Sequence, residues 1–331
     1  MKKNSYFLIG AMLSLVIVWG STNPGLGQER SYKFGGGTPG GPWFVAVGAG
    51  VTLLNQEMKG KAQFTFGASA GSLENVRRIG MREYDTGFAH VNTIWEAVNG
   101  VGPFAGRALH NFRLVAKHSS LTHLWFCLKE SEIKSISDFA GRKVNIGPPG
   151  SGALIHSGYI LETLGLADKI KKFTLSFEGG AKGVADRQID VGAAAGGPFT
   201  VPAIVEISTL NPVRYIGFKE EEYQKLEAKF PFYERVTIPA KVVNGVDDPV
   251  PGLGYSVYWI AREDMPTDVV YEMLRITQEP KNKEMLTKTQ KTWGEVTGQF
   301  QGVARMGVKL HPGAAKYWKE RGMDIPAELY P

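Results

Sequence analysis

Three short turns rich in glycine, serine and threonine constrain the fold of this chain most strongly, because each lies between a predicted strand and a predicted helix. They cover residues 35–42, 67–72 and 147–152. Short apolar runs alternate with amphipathic stretches on both sides of these turns, as in repeated β-α-β units. The sequence therefore predicts an α/β fold with mainly parallel sheets.

The predicted strands are short, and most of them lead into a turn or a helix. They cover residues 31–35, 62–67, 86–91, 143–147, 173–177 and 189–195. The first helix is predicted from apolar residues at helical spacing, namely Phe44, Val47, Val51, Leu54 and Met58. Further helices are predicted from Ser72, at about 92–99 and 151–164, up to 188, around Pro202, and near 266–277, 281–291 and 313–321.

Two longer segments, residues 112–129 and 252–261, have the composition of extended strands that cross between two lobes. The chain length agrees with two lobes, since a single core rarely grows beyond about 250–300 residues. We therefore expect lobe I to comprise residues 28–121 and 254–331, and lobe II to comprise residues 122–253.

The N-terminus has the pattern of a secretory signal. Lys2 and Lys3 precede an apolar run over residues 7–19, and a small, polar stretch ends at Gln28. The apolar run is short for a membrane-spanning helix, which needs roughly 20 residues. We predict cleavage after Gly27 and a periplasmic location; an uncleaved N-terminal anchor is the alternative.

Charge and cysteine content narrow the classes of function. Without residues 1–27 the chain keeps 36 basic and 32 acidic side chains, and it lacks the dense basic stripe of nucleic-acid-binding proteins. This mild positive excess suits an anionic ligand. Cys127 is the only cysteine, so a disulfide within the chain is excluded and stability has to come from the core.

Each of the three turns places free backbone N–H groups at the start of a helix, where the helix dipole also favours negative charge. Ligands of open α/β sheets bind at the carboxyl ends of the strands, where these turns lie. Capping alone would explain any one turn, but three together favour a shared ligand cleft. The third turn nearly matches a nucleotide-binding P-loop. However, Ala153 and Leu154 stand where a lysine and a hydroxyl are needed, which argues against ATP hydrolysis.

The sequence shows no motif that indicates catalysis or metal binding. The six histidines include no His-Glu-x-x-His pair, and there is no Gly-x-Ser-x-Gly elbow. Cys127 lies on an apolar strand, which is typical of a buried small hydrophobe rather than a nucleophile. We therefore expect a protein that is not an enzyme and that uses neither a cofactor nor a metal.

The order of the motifs resembles the TAXI-type substrate-binding proteins of TRAP transporters. The matching blocks are residues 36–41, 68–75, 144–152, 188–191 with 197–198, and 264–271. The resemblance implies a two-lobed periplasmic-binding-protein fold of type II that closes on a ligand in its cleft. It also implies organic acids or acidic amino acids as ligands, and membrane subunits of an ion-gradient-driven transporter as partners.

Two positions depart from the pattern of that family. Trp43 and Phe44 stand where two tyrosines are usual, and residues 90–93 read His-Val-Asn-Thr where a Gln-Ser pair is common. These departures predict a ligand that is larger or more apolar than the commonest ligands of the family.

These inferences combine into a predicted site for a small carboxylate. The expected residues are Gly37, Thr38, Ser69, Ser72, Ser151 and Gly152 for the carboxylate, Asn92 for a further polar group, and Trp43, Phe199 and Tyr258 for an apolar wall. Ordinary core packing is the alternative for each aromatic residue. We expect a monomer that acts by hinge closure and makes no covalent bond to its ligand.

Two other functions remain open on the sequence alone. A receptor of the same fold could serve an ATP-driven importer or a sensor kinase instead of a TRAP transporter. An exported enzyme could use the same cleft catalytically, with Ser151 or His90 placed beside a base.

Overall fold

A computed structural model describes residues 30–149 and 151–331, so the predicted signal and its cleavage site lie outside the described residues. The strands are β1 (Arg30–Gly35), β2 (Ala62–Gly67), β3 (Thr86–His90), β4 (Phe112–Leu128), β5 (Lys143–Asn145), β6 (Lys171–Phe173), β7 (Val191–Gly196), β8 (Val213–Ile216), β9 (Glu234–Ile238) and β10 (Val250–Arg262). The α-helices are α1 (Pro42–Glu57), α2 (Ser72–Gly80), α3 (Val91–Asn99), α4 (Gly152–Thr163), α5 (Phe177–Ala185), α6 (Pro202–Ser208), α7 (Glu220–Lys229), α8 (Thr267–Gln278), α9 (Pro280–Thr289) and α10 (Pro312–Glu320).

The strands form two parallel groups that are joined by the two longest strands. The order is β2-β1-β3-β10-β4-β7-β5-β6, with β8 added to β4 and β9 added to β10. Pairing is parallel within β2-β1-β3 and within β7-β5-β6, whereas β10 pairs antiparallel with both β3 and β4. The two mainly parallel sheets expected from the sequence are thus present, and hydrogen bonds through β4 and β10 make them continuous. This is the α/β architecture of periplasmic binding proteins.

The crossing strand β4 changes partner along its length. Residues Phe112 to His123 pair with β10, and residues Thr122 to Phe126 pair with β7. The predicted lobe boundaries fall inside β4 and β10, and the division into lobes itself stays a prediction. The ladder between these two strands is irregular, with register shifts between Val257 and Tyr258 and between Trp259 and Ile260.

A large core extends through the first parallel group and the C-terminal helices, and it continues into the second group through residues such as Val144, Ile160 and Val191. Phe34 stacks on Trp259 at 5.3 Å between ring centroids, and Trp293 meets Trp259 edge-on at 5.8 Å. The Trp293 indole N–H also donates to the carbonyl of Ala46 at 3.0 Å, so the segment after α9 is fastened to α1. A smaller core, which includes Phe126, Ile204 and Tyr215, lies in the second half.

Some sequence predictions fail for local reasons. The strand predicted at 173–177 is wrong, because β6 ends at Phe173 and the Ser176 hydroxyl caps α5 by accepting from the Gly179 N–H at 3.0 Å. Helix α7 and strands β8 and β9 were not predicted. None of the helices in the described part of the chain has the length and apolar character needed to span a bilayer.

Candidate functional site

A cavity of about 970 Å³ opens where α1, α2, α3 and α4 begin. Each of these helices follows a parallel strand, so the cavity lies at the carboxyl ends of β1, β2, β3 and β5. Ligands of open α/β sheets bind at this edge. Six of the ten predicted site residues line the cavity, namely Gly37, Thr38, Trp43, Ser72, Ser151 and Gly152.

The helices that face the cavity differ in how their first turns are capped. Gly41 and Gly71 precede α1 and α2, and no side chain accepts a hydrogen bond from the first turn of either helix. At α4 the Ser151 hydroxyl accepts from the Leu154 N–H at 3.1 Å and donates to the Pro148 carbonyl at 2.7 Å. The N-termini of α1 and α2 therefore keep donors for a ligand, whereas one donor of α4 already has its partner.

Ser69 lies behind the cavity wall rather than in it. It is 7% exposed, and its hydroxyl donates to the Gly36 carbonyl at 2.9 Å and accepts from the Gly71 N–H at 3.1 Å. The buried amide of Asn75 donates to the same Gly36 carbonyl and to the Phe88 carbonyl. These two side chains hold the turns before α1 and α2 against each other, and Asn75 was not among the predicted site residues.

Three further predicted residues are absent from the cavity wall. Asn92 is 2% exposed within the first turns of α3, and Phe199 packs against the smaller core of the second half. Tyr258 is 1% exposed and stacks on Phe300. Because side chains alternate along a strand, Val257 lines the cavity while its neighbour Tyr258 points to the opposite face.

Tyr255, which shares the face of Val257, is the tyrosine that approaches the site. It is fully buried, and its ring stacks on His156 at 3.7 Å between centroids. Its hydroxyl has no hydrogen-bond partner among the described residues. A Cβ added to Gly152 would lie 2.7 Å from this hydroxyl oxygen, so glycine is required where α4 begins.

His90 ends β3 and also lines the cavity. Its backbone N–H donates to the Ser72 hydroxyl at 2.9 Å, and its ring lies 5.0 Å from that of Trp43 and 6.2 Å from that of Tyr255. Its Nδ1 atom is buried and has no partner within residues 30–149 and 151–331. Burial lowers the pKa of His90 to about 4, so the imidazole is neutral at pH 7.

Fixed charge in the described part of the cavity wall is confined to two residues of α2. Glu74 accepts from the Ala70 N–H at 2.6 Å and pairs with Arg78 at 2.5 Å. The exposed side chain of Arg77 donates to the Pro103 carbonyl at 3.0 Å. The remaining described lining is apolar or bears neutral polar groups, which include Thr93, Ser119 and Thr292. No cluster of three or more metal-binding side chains occurs in the described part of the chain.

Sequence reasoning did not single out Tyr255 as a site residue or place Thr93, Ser119 and Thr292 at the site. Tyr255 is one of three aromatic residues, with Tyr258 and Trp259, on the second crossing strand. Because β10 is buried along nearly its whole length, polar and apolar residues do not alternate along it, and the sequence does not show which tyrosine faces the cleft. The glycine at the first position of α4 is the one available signal. It indicates that another part of the chain comes close to this residue, but it does not show which part.

The fold and the cavity define the class of the molecule: an α/β protein of periplasmic-binding-protein architecture with a neutral cavity at its strand ends. Residues 34–322 match the model of the NMT1-like family, and the chain belongs to that family.

Several solved structures are similar to this chain at low identity. The periplasmic aliphatic sulphonate binding protein SsuA from Escherichia coli is 12% identical, with a TM-score of 0.47, over 91% of this chain and 96% of that one. A putative L-cystine ABC transporter from Listeria monocytogenes is 16% identical, with a TM-score of 0.43, over 79% and 96%. The probable amino-acid ABC transporter extracellular-binding protein from Bacillus subtilis is 11% identical, with a TM-score of 0.43, over 80% and 98%.

Proposed function

We propose that this protein is an extracytoplasmic solute receptor that binds a small carboxylate in the cavity at the beginnings of α1, α2 and α4. The observation that carries the proposal is the pair of helices α1 and α2, whose first turns face the cavity without a side-chain cap. The proposed role is capture and release of a ligand, with no chemical change.

The carboxylate is proposed to lie against α1 and α2. Free N–H groups in the first turn and the positive end of the helix dipole both favour an anion. Thr38 and Ser72 line the same part of the cavity, and each carries a hydroxyl that can donate to a carboxylate oxygen. The hydroxyl of Ser72 accepts from His90, so its own proton is free to be donated.

The rest of the ligand is proposed to be largely apolar. Trp43, Leu73, Leu121, Ile155 and Val257 line the cavity, and side chains of this kind exclude water and pack against carbon. This composition supports a ligand with more carbon than a minimal organic acid.

Closure is proposed to occur by a hinge in the two crossing strands. Helices α1 and α2 follow strands of the first parallel group, and α4 follows β5 of the second. A ligand that contacts all three helices would draw the two groups together, and bending of β4 and β10 is the simplest movement that permits this.

The proposed partner is a TRAP transporter, and the proposed location is the periplasm. The glycine blocks at 36–41, 71–75 and 147–152 support this finer assignment through their resemblance to TAXI-type proteins. Transport assays in proteoliposomes with the neighbouring permease would test it. Uptake driven by an ion gradient is expected, and dependence on ATP would instead indicate an ATP-driven importer.

Binding is tested by thermal shift and calorimetry with a panel of organic acids, and by native mass spectrometry of protein purified without denaturation. We expect at least one monocarboxylate to raise the melting temperature and to be recovered chemically unchanged. Ser72→Ala should weaken the binding of this acid by about tenfold, since a hydrogen bond to a charged group contributes about 1.5–3 kcal/mol. The matched control is Ser137→Ala, which alters an exposed serine remote from the cavity. Turnover of the ligand, or stabilisation only by cations, would contradict the proposal.

A further inference from the structure

We propose that the cavity has a second, uncharged subsite, in which the Tyr255 hydroxyl and the His90 imidazole bind a neutral polar group of the ligand. This inference rests on the proposed function and deepens it. It specifies the ligand as a monocarboxylate that carries an amide, hydroxyl or ring-nitrogen group at its other end, in place of a dicarboxylate.

Position supports the subsite. His90 and Gly152 both line the cavity, and the Tyr255 hydroxyl lies against the hydrogen-only side of Gly152. The rings of His90 and Tyr255 are 6.2 Å apart between centroids. A small group bound between the end of β3 and the start of α4 would therefore meet both side chains.

Unsatisfied hydrogen-bonding capacity supports it as well. Leaving a buried polar atom unpaired is energetically unfavourable, so such atoms call for an explanation. The hydroxyl of Tyr255 and the Nδ1 atom of His90 are both in this state within the described residues. Buried tyrosines elsewhere are different, since the Tyr223 hydroxyl donates to the Gly252 carbonyl at 2.7 Å and the Tyr233 hydroxyl lies 2.8 Å from His156. A ligand group that forms hydrogen bonds with both unpaired atoms would remove this energetic penalty, and because it would do so only in the bound state, it would favour binding.

The surroundings select a neutral group over a second carboxylate. In the described lining the only basic side chain is the exposed Arg77 of α2, which already donates to Pro103. The low pKa of His90, about 4, shows that its environment disfavours the imidazolium. A carboxylate placed beside Tyr255 would lose its hydration without gaining a cationic partner, which is strongly unfavourable.

Movement of α4 is the proposed route of access to the Tyr255 hydroxyl. Gly152 is the first residue of α4, and Tyr255 lies on the crossing strand β10. A small displacement of α4 relative to β10 during closure would expose the hydroxyl to the cavity, because only the backbone of Gly152, without a side chain, lies against it on that side.

The test compares matched acids on the full-length mature protein by calorimetry. The probes are succinate against succinamate and terephthalate against 4-carbamoylbenzoate, since each pair differs only by replacing one carboxylate with an amide. We expect the half-amide of at least one pair to bind about tenfold or more tightly than its dicarboxylate, which corresponds to about 1.4 kcal/mol. Tyr255→Phe should reduce this preference to less than about threefold.

Two further variants separate recognition from folding. Tyr223→Phe also removes a buried tyrosine hydroxyl but lies outside the cavity, and it should keep the preference. His90→Phe retains an aromatic ring beside Trp43, removes the nitrogen atoms, and should weaken the preference. The melting temperature of Tyr255→Phe without ligand should not fall, because the deleted hydroxyl has no partner.

The possible results distinguish this inference from the proposed function. Acids that bind without any preference for the half-amide, or a preference that survives Tyr255→Phe, would overturn the subsite and leave carboxylate binding in place. If no acid of the panel binds to the wild-type protein, both the subsite and the carboxylate receptor are overturned.

Discussion

The two ends of the cavity use different chemistry. At α1 and α2 the turns contain glycine caps, so backbone N–H groups stay free, while Ser69 and Asn75 hold the turns from behind. At α4 the cap is filled by Ser151, and the unpaired polar group beside it is the Tyr255 hydroxyl. His90, whose Nδ1 atom is also unpaired, lies between Trp43 and Tyr255.

Similar glycine-rich turns in this protein therefore need not have the same role. The turns before α1 and α2 offer the positive end of a helix dipole, which suits a charged oxygen. At α4 the glycine instead admits a neutral hydroxyl from another strand to close contact. A ligand with a charged head and a neutral polar tail would match both ends.

The largest expected effect concerns pH, because several histidines are buried in the neutral form. Burial lowers the pKa of His90 to about 4, that of His123 to about 3, and that of His156 well below 6.5. As the pH falls below about 6.5, these histidines become protonated in the unfolded chain but remain neutral in the native state. The free energy of unfolding therefore decreases. Each histidine should contribute up to about 1.4 kcal/mol per pH unit until its native pKa is reached.

Urea unfolding followed by tryptophan fluorescence at pH 7, 6 and 5 measures this decline. We expect the combined loss between pH 6.5 and 5 to reach several kcal/mol, since these three groups and the similarly buried His118 and His311 each lose up to about 2 kcal/mol over that interval. His123→Phe should reduce the slope of the free energy of unfolding against pH by the contribution of about one proton. A free energy of unfolding that is level from pH 7 to pH 5 would show that these imidazoles are not held neutral.

The next effect concerns close packing at α4. In Gly152→Ala the new Cβ would come within 2.7 Å of the Tyr255 hydroxyl oxygen, so the helix or the ring has to shift. We expect the free energy of unfolding to fall by about 1–3 kcal/mol, as for other overpacked sites, and ligand affinity to fall about tenfold. Adding Tyr255→Phe should restore most of the stability. Equal losses in the single and double variants would refute this contact as the cause.

A smaller effect distinguishes Ser69 from Ser151, two of the three serines that were predicted to bind the ligand. Ser69→Ala removes one hydrogen bond to the turn before α1 and one within the turn before α2, so it should cost about 2 kcal/mol of stability and also weaken binding. Ser151→Ala removes an N-cap and should cost about 1 kcal/mol, while affinity changes by less than about threefold. Denaturant unfolding and calorimetry on both variants measure the contrast. A larger loss of affinity in Ser151→Ala would place the carboxylate at α4.

The smallest effect is expected at Thr38, which is exposed on the cavity rim. Thr38→Val keeps the shape and removes a hydroxyl, so stability should change by less than about 0.5 kcal/mol. Affinity for a carboxylate should fall about fivefold, the value of one hydrogen bond of about 1 kcal/mol. Calorimetry with Thr38→Ser as the conservative control, which should bind like the wild type, measures this. Full affinity in Thr38→Val would exclude the hydroxyl from the site.

Local signals made much of the fold predictable. The bounds of β2 and the start of α2 agree with the sequence prediction, because glycines and a serine mark the ends of clearly periodic segments. The positions of Thr38, Ser72 and Ser151 around one cavity followed from the rule that parallel strands share an edge.

The rest of the candidate site depends on contacts between residues that are far apart in the sequence, and local sequence patterns do not reveal such contacts. The hydroxyl of Ser69 was expected to face a ligand, yet it donates to Gly36 of the neighbouring turn and accepts from Gly71 of its own turn. Tyr258 was predicted to line the site, but Tyr255 approaches it; the sequence does not distinguish them, because both lie on a strand that is buried on both faces. His90 is separated by 165 positions from Tyr255, and only the pairing of β3 with β10 brings them together.

The irregular ladder between β4 and β10 gives the cavity wall a mechanical role. The register shift after Val257 interrupts regular pairing in the strand that joins the two parallel groups, and Val257 itself lines the cavity. A β-bulge bends the strand locally and increases its twist. If the proposed hinge lies at this irregular point, a ligand in contact with Val257 would couple occupancy of the cavity to the angle between the two parallel groups.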